Sequence, residues 1–233
     1  MKKIISSITL ILFLVIVSLI IIFSTIGYET DRFNEIISKK ISKNNQNFAL
    51  KIKKIRFKFD IKKLSLFLDT SNPKLSYQDL DVPIEKIKVY LNFISLIGSN
   101  AKIEKVDIKT KEINIEKLKK ILFKMKPSSL SSLINNKVKN GKLVTDLQIF
   151  FNNDLKIDNF IAKGEVKKMY AIVNKNLILQ DTSFNFFADN SDILIKKIRG
   201  KMKGLQLIDG SLQVQKDKNI KINTEFVTNL SID

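Results

Sequence analysis

The chain has 233 residues, 41 Lys and Arg against 23 Asp and Glu for a formal charge of +18, and neither His nor Cys. Lacking those two residue types it has no Ser-His-Asp or Cys-His nucleophile pair, no imidazole base, no thiol chemistry and no ordinary zinc site. The charge invites nucleic acid or an anionic surface as partner, but only Arg32, Arg56 and Arg199 are arginine and the lysines are scattered through Ile- and Asn-rich text such as AT-rich codons write, so no nucleic-acid partner is expected.

Residues 4–23 form one uncharged apolar block, about the ~30 Å thickness of a bilayer core at 1.5 Å per helical residue. A signal peptide has an apolar centre of roughly 7–15 residues and a small-x-small exit, whereas this block is longer and leaves through Ser24-Thr25-Ile26-Gly27. Residues 1–27 are therefore read as an uncleaved, single-pass transmembrane anchor. Lys2, Lys3 and the amino terminus precede the block, and the nearest basic residue beyond it is Arg32. Lys39 and Lys40 follow, so orientation rests on the nearest residues, which keep the amino terminus in the cytoplasm and put residues 28–233 outside it.

Residues 28–126 read as an α+β segment. Thr30 or Asp31 can cap a helix through Phe33, Ile36, Ile37 and Ile41. Strand text follows, with Phe48, Leu50 and Ile52 on even positions and Ile55, Phe57, Phe59 and Ile61 on odd ones, so a bulge or turn is expected at Lys53-Lys54. Beyond a turn at Ser71-Asn72-Pro73, alternation resumes in Ile87, Val89, Leu91 and Phe93, then after Gly98-Ser99-Asn100 in Ile103, Val106 and Ile108. Leu118, Ile121, Leu122 and Met125 fit a helix capped by Asn114 and stopped at Pro127. Residues 127–140 read as a linker with a short helical turn through Leu130, Leu133 and Ile134.

From 141 to 233 the chain is short alternating runs, several opening on Gly-x-apolar at Gly141, Gly164, Gly200 and Gly210. Strands at roughly 8–12-residue spacing mean an antiparallel meander, sandwich or barrel, so the fold class is mainly β with few helices. Each strand has one apolar face and a mostly Lys, Glu, Asp and Asn face that should be wet. Either a second layer closes the apolar face, or the sheet curls into an open groove. The candidates for a lipid-lined groove are Phe57, Phe59, Ile87, Val89, Leu91, Ile149, Phe151, Phe184, Phe186, Ile193, Ile195, Leu212 and Val214.

The order of anchor, short helix, Ile55-Arg56-Phe57-Lys58-Phe59, Asn72-Pro73-Lys74-Leu75-Ser76-Tyr77, Ile84 to Leu91, Ser95-Leu96-Ile97-Gly98 and Ile103 to Ile108 resembles the start of the AsmA-like family of envelope proteins. The likeness covers residues 1 to about 125 and grows diffuse from 141 to 232. It implies an inner-membrane anchor, a periplasmic β-meander folded as a β-taco-like groove, and a part in moving phospholipid toward the outer membrane during its biogenesis. Members of that family are longer, and Ser231-Ile232-Asp233 still reads as strand text, so the chain is expected to be part of something longer or to work with envelope proteins docked on a C-terminal edge strand. The alternative is a tethered structural or assembly adapter with a closed β core.

No residue is assigned a catalytic role and no cofactor or metal is expected. Asp79 with Asp81, and Asp189 with Asp192, lie in Asn/Ser/Asp-rich text that reads as turns, and no phosphate-binding glycine loop is present.

Overall fold

A computed structural model describes residues 2–31, 34, 47–62, 65–91, 102–125, 127–152, 154, 156–202, 205–216 and 219–230. The apolar block forms α1 (Lys2–Thr25). A core helix hides one stripe from solvent, but Ile4 is 65% and Phe13 61% exposed, and none of the span Ile4–Thr25 is buried in the protein. The helix is long and apolar enough to cross a membrane.

It stops at Gly27, whose N–H reaches back to Ile22 O at 3.0 Å and whose φ of +76° favours a residue without Cβ. β1 (Tyr28–Thr30) begins at the next residue and pairs antiparallel with β3 (Ile55–Asp60). Lys58 Nζ donates to Thr25 O at 3.1 Å, placing a cation on the helix's C-terminal carbonyls. α1 and the sheet are thus joined with no slack between them. Thr30 is a buried strand residue paired with Ile55. The expected stripe of Phe33, Ile36, Ile37 and Ile41 lies outside the described residues.

The phase change at Lys53-Lys54 marks a crossing between sheets. β2 (Phe48–Lys51) joins β5 (Lys74–Tyr77) and β6 (Leu80–Val82) in a small sheet, while β3 belongs to a large one. The large sheet runs in the order β1, β3, β4 (Ser65–Ser71), β7 (Ile84–Leu91), β8 (Ile103–Thr110), β10 (Val138–Phe151), β11 (Ile157–Ile172), β12 (Ile178–Ala188), β13 (Asp192–Met202), β14 (Leu205–Lys216) and β15 (Ile220–Leu230). β9 (Ile113–Asn114) pairs with β10 beside β8. All pairings are antiparallel and the sheet does not close into a barrel, so the fold is an open meander with an apolar N-terminal helix.

α2 (Ile115–Lys124) starts where expected, with Asn114 Oδ1 accepting from Lys117 N at 2.9 Å. The segment read as a linker holds a nine-residue helix, α3 (Ser129–Lys137), capped by Ser128 and running directly into β10. Because β10 pairs with β8, the large sheet continues across this segment. Ile115, Val138 and Ala171 form a buried cluster there with Leu118, Ile134, Met169 and Leu179. A second cluster joins the two sheets: Leu50, Ile84 and Ile87 with Ile52, Leu75, Val82, Val89, Val106 and Ile108.

Beyond β10 the strands are fewer and longer than the short runs suggested. The alternating stretches on either side of Lys168, around Ala162 and around Tyr170, both lie in β11, and those on either side of Lys197, around Ile195 and around Met202, both lie in β13. Their breaks in alternation are bulges, with register shifts and positive φ at Lys168 (+50°), Asp181 (+46°) and Lys197 (+56°) in three adjacent strands. The Gly-x-apolar steps are not strand starts either. Gly164, Gly200 and Gly210 sit within strands where a neighbouring side chain closes on the backbone.

Candidate functional site

In an antiparallel sheet, directly paired residues share a face, so the register traces apolar rows across the strands. One row runs Ile87, Ile108, Leu147, Ala162, Ala188, Ile193, Val214, Ile222 from β7 to β15. A flanking row carries Tyr28, Phe57, Leu68, Val89, Val106, Ile149 and Phe160. On the other flank lie Thr145, Gly164, Phe186, Ile195, Leu212 and Thr224. These three rows contain no charged residue.

Register and alternation place all thirteen candidates on this face. Phe59 pairs with Leu66, Leu66 with Leu91, and Phe184 with Val166, while Phe151 follows Ile149 in β10. The face is nevertheless two different environments. Over β7 and β8 the small sheet covers it, burying Ile87 and packing on Val89, so these two belong to a closed core. From Ala162 to Val214 its side chains are half-buried, among the described residues β11 to β14 contact chiefly their sheet neighbours, and the cluster beside α2 and α3 takes in Met169, Ala171 and Leu179. At β15 the row emerges with Ile222 62% and Phe226 49% exposed.

The small residues Ala162, Ala188 and Gly164 lower the floor of this face at β11 and β12. Phe186 then folds over Gly164, and Phe226 over Gly210, so closely that a Cβ at either glycine would meet ring carbon at 2.6 and 2.5 Å.

The opposite face is not uniformly wet. Phe67, Tyr90 and Lys105 are buried on it, in paired positions leading to Phe150. Phe67 stacks on Tyr90 with centroids 5.3 Å apart, and Lys105 Nζ lies 4.2 Å from the Tyr90 ring and 2.8 Å from Asp107 Oδ1. Burial, with Asp107 beside it, pushes the Tyr90 phenol far above its ordinary range. A buried lysine is tolerable here because a carboxylate and an aromatic face replace its water. Four strands are braced in this way behind the apolar rows. Nothing in the spacing of Phe67, Tyr90, Lys105 and Phe150 announces it, because the contact exists only once register is set.

One member of each acidic pair, Asp79 and Asp189, lies in a turn or loop, whereas Asp81 and Asp192 lie in strands. Asp79 has a left-handed φ of +67° and Asp81 lies in β6. Asp189 Oδ1 accepts from Ser191 N, Ser191 Oγ and Asp192 N at 2.8–2.9 Å, and these bonds hold its carboxyl below the usual range, the Asp192 N–H contributing most. Among the described residues no three acidic side chains gather as a metal cage.

No protein-family model, curated protein or solved structure matches the chain.

Proposed function

We propose that this chain is a single-pass inner-membrane protein of the AsmA-like kind, its sheet in the periplasm, and that the open apolar face of β11 to β14 shelters phospholipid acyl chains on their way to the outer membrane. The observation that carries this is the uncharged apolar row from Ile87 to Ile222, over which, from Ala162 to Val214, the described residues place no second sheet. A continuous apolar ribbon of this extent is costly in water, and apolar patches on monomers seldom exceed a few hundred Å². An acyl chain is a flexible apolar line that matches a row crossing successive strands, each methylene buried contributing about 0.8 kcal/mol. The three rows carry no charge and only the hydroxyls of Tyr28, Thr145 and Thr224 at their ends, which suits chain sheltering better than headgroup recognition. Lys2 and Lys3 beside the apolar helix favour the orientation with the amino terminus in the cytoplasm. No catalytic step is assigned.

Native mass spectrometry of the full chain extracted from membranes tests this directly. Co-purified phospholipid at defined stoichiometry is expected, and a lipid-free protein ends the proposal.

A tethered adapter is the second reading, favoured by β15. Among the described residues this strand pairs only with β14, and residues 220–229 are exposed throughout. An unpaired edge of that length is a template for strand addition. In-cell crosslinking from Lys221 to a stoichiometric protein partner, without lipid, would favour it.

A further inference from the structure

We infer a separate polar site for a phosphate-bearing ligand at the seam between the two sheets. A cleft of about 530 Å³ opens there among the Ser71-Asn72-Pro73 turn, the start of β5 and the end of β6. Its rim carries Lys53, Lys74 and Lys111 against one carboxylate, Asp81. These lysines precede β3, open β5 and follow β8, so only the fold brings them together.

The excess of cations over carboxylates around one cleft is the informative point. Lys54, Lys86, Lys105, Lys109, Lys142 and Lys167 each hold a carboxylate oxygen within 3.0 Å. Lys53, Lys74 and Lys111 make no ion pair among the described residues. Like charges gathered around one concavity repel, and an anion placed among them relieves that repulsion and finds its own charge neutralised. Ammonium groups act as point charges, so they take a phosphate without demanding one orientation.

The walls are firm. Pro73 and Pro83 fix their backbone torsions, Asn72 N donates to Glu85 O at 2.7 Å, and Lys111 N donates to Pro83 O at 2.8 Å. Val82 and Ile84 lie at the base, Ile84 being 4% exposed within the core that joins the sheets. A cationic rim over an apolar base fits a phosphate ester, whether a lipid headgroup or a soluble phosphate. This site stands independently of acyl-chain sheltering.

The test is calorimetric titration of the full chain in an uncharged maltoside detergent, first with inorganic phosphate and then with dihexanoylphosphatidylglycerol below its micellar concentration. Saturable binding of at least one probe is expected, weakened about tenfold or more in Lys53→Gln/Lys74→Gln/Lys111→Gln, which is at least ~1.4 kcal/mol. It should be unchanged in Lys163→Gln/Lys196→Gln/Lys221→Gln, which removes equal charge from exposed strand positions. Binding of the lipid probe alone assigns a headgroup, and equal binding of inorganic phosphate assigns the phosphate group itself. Absence of saturable binding by both probes overturns the inference, as does equal weakening by the two triple variants. If the first triple variant misfolds, the three single Lys→Gln variants serve, each expected to weaken binding roughly twofold or more, and no loss in any of them overturns the inference. Lipid carriage in native mass spectrometry should survive the cleft variants, which separates a failure here from a failure of the acyl-chain proposal.

Discussion

The ring of Phe186 closes over Gly164 on the paired strand, so that a methyl group there would lie 2.6 Å from ring atoms Cε1 and Cζ and 2.3 Å from Val144 O. Phe226 lies over Gly210 in the same manner one sheet margin away, at 2.5 Å from its Cδ1. Both glycines exist to let an aromatic ring settle onto the sheet instead of standing clear of it. The two sites differ in how freely the ring can move.

Gly164→Ala should therefore cost about 1–3 kcal/mol through overpacking against a backbone oxygen that cannot retreat. Gly210→Ala should cost less, because Phe226 is 49% exposed at the edge strand and can swing aside. Chemical denaturation of the two variants measures both, and equal losses would show that the rings do not set the cost.

Charged substitutions should separate the covered and open parts of the apolar face. Val89→Asp puts a carboxylate under the small sheet and should destabilise the fold by ~3 kcal/mol or more. Ile195→Asp, on the uncovered part, should stay within about 1 kcal/mol of wild type while abolishing lipid carriage. Thermal melts paired with native mass spectrometry read both, and unfolding of Ile195→Asp would mean that this region is closed.

Glu29 is expected to make the joint between helix and sheet acid-sensitive. Its carboxylate accepts hydrogen bonds from Lys54 and, at 2.9 Å, from Arg56 Nε, and these hold its pKa below the ordinary 4.5. A depressed carboxylate contributes stability that is complete above its unfolded value and is lost as the pH falls through its folded one. Glu29→Gln should therefore lower Tm at neutral pH, with the difference from wild type vanishing in acid below 4.5. A difference that persists unchanged in acid would point away from this carboxylate.

The row of bulges predicts an unusual gain from glycine. Lys197 holds φ at +56° within a strand, a conformation that costs a side-chain-bearing residue roughly 1–2 kcal/mol. Lys197→Gly should be neutral or stabilising by up to about 1 kcal/mol, whereas Val166→Gly, in regular strand, should destabilise. Comparison of their denaturation midpoints decides it.

The face-by-face alternation was legible because period 2 survives between the bulges, and Phe57, Ile149, Ile195 and Val214, each read as an apolar-face residue of its own run, share one surface once register is set. Strand length was not legible. A bulge at Lys168 or Lys197 shifts the phase of alternation just as a turn does, so each long strand read as two short ones. β4 was equally hidden, since Leu64-Ser65-Leu66-Phe67-Leu68 is a nearly continuous apolar run in which Leu68 serves one face and buried Phe67 the other. What lies over a face is a property of tertiary packing. Ile87 and Ile193 stand in the same row with similar sequence surroundings, and only the position of the small sheet makes one core and the other open.

The absence of slack at Gly27 makes the sheet a lever. Eleven strands at about 4.8 Å set β15 roughly 48 Å from β1, so each degree by which α1 leans moves that far margin by about 0.8 Å. Membrane helices commonly lean by about 20°, and a lean of that size sweeps the distal margin through roughly 17 Å. With α1 spanning a bilayer as proposed, bilayer thickness, by setting how far the helix inclines, would thereby steer where the β15 margin points.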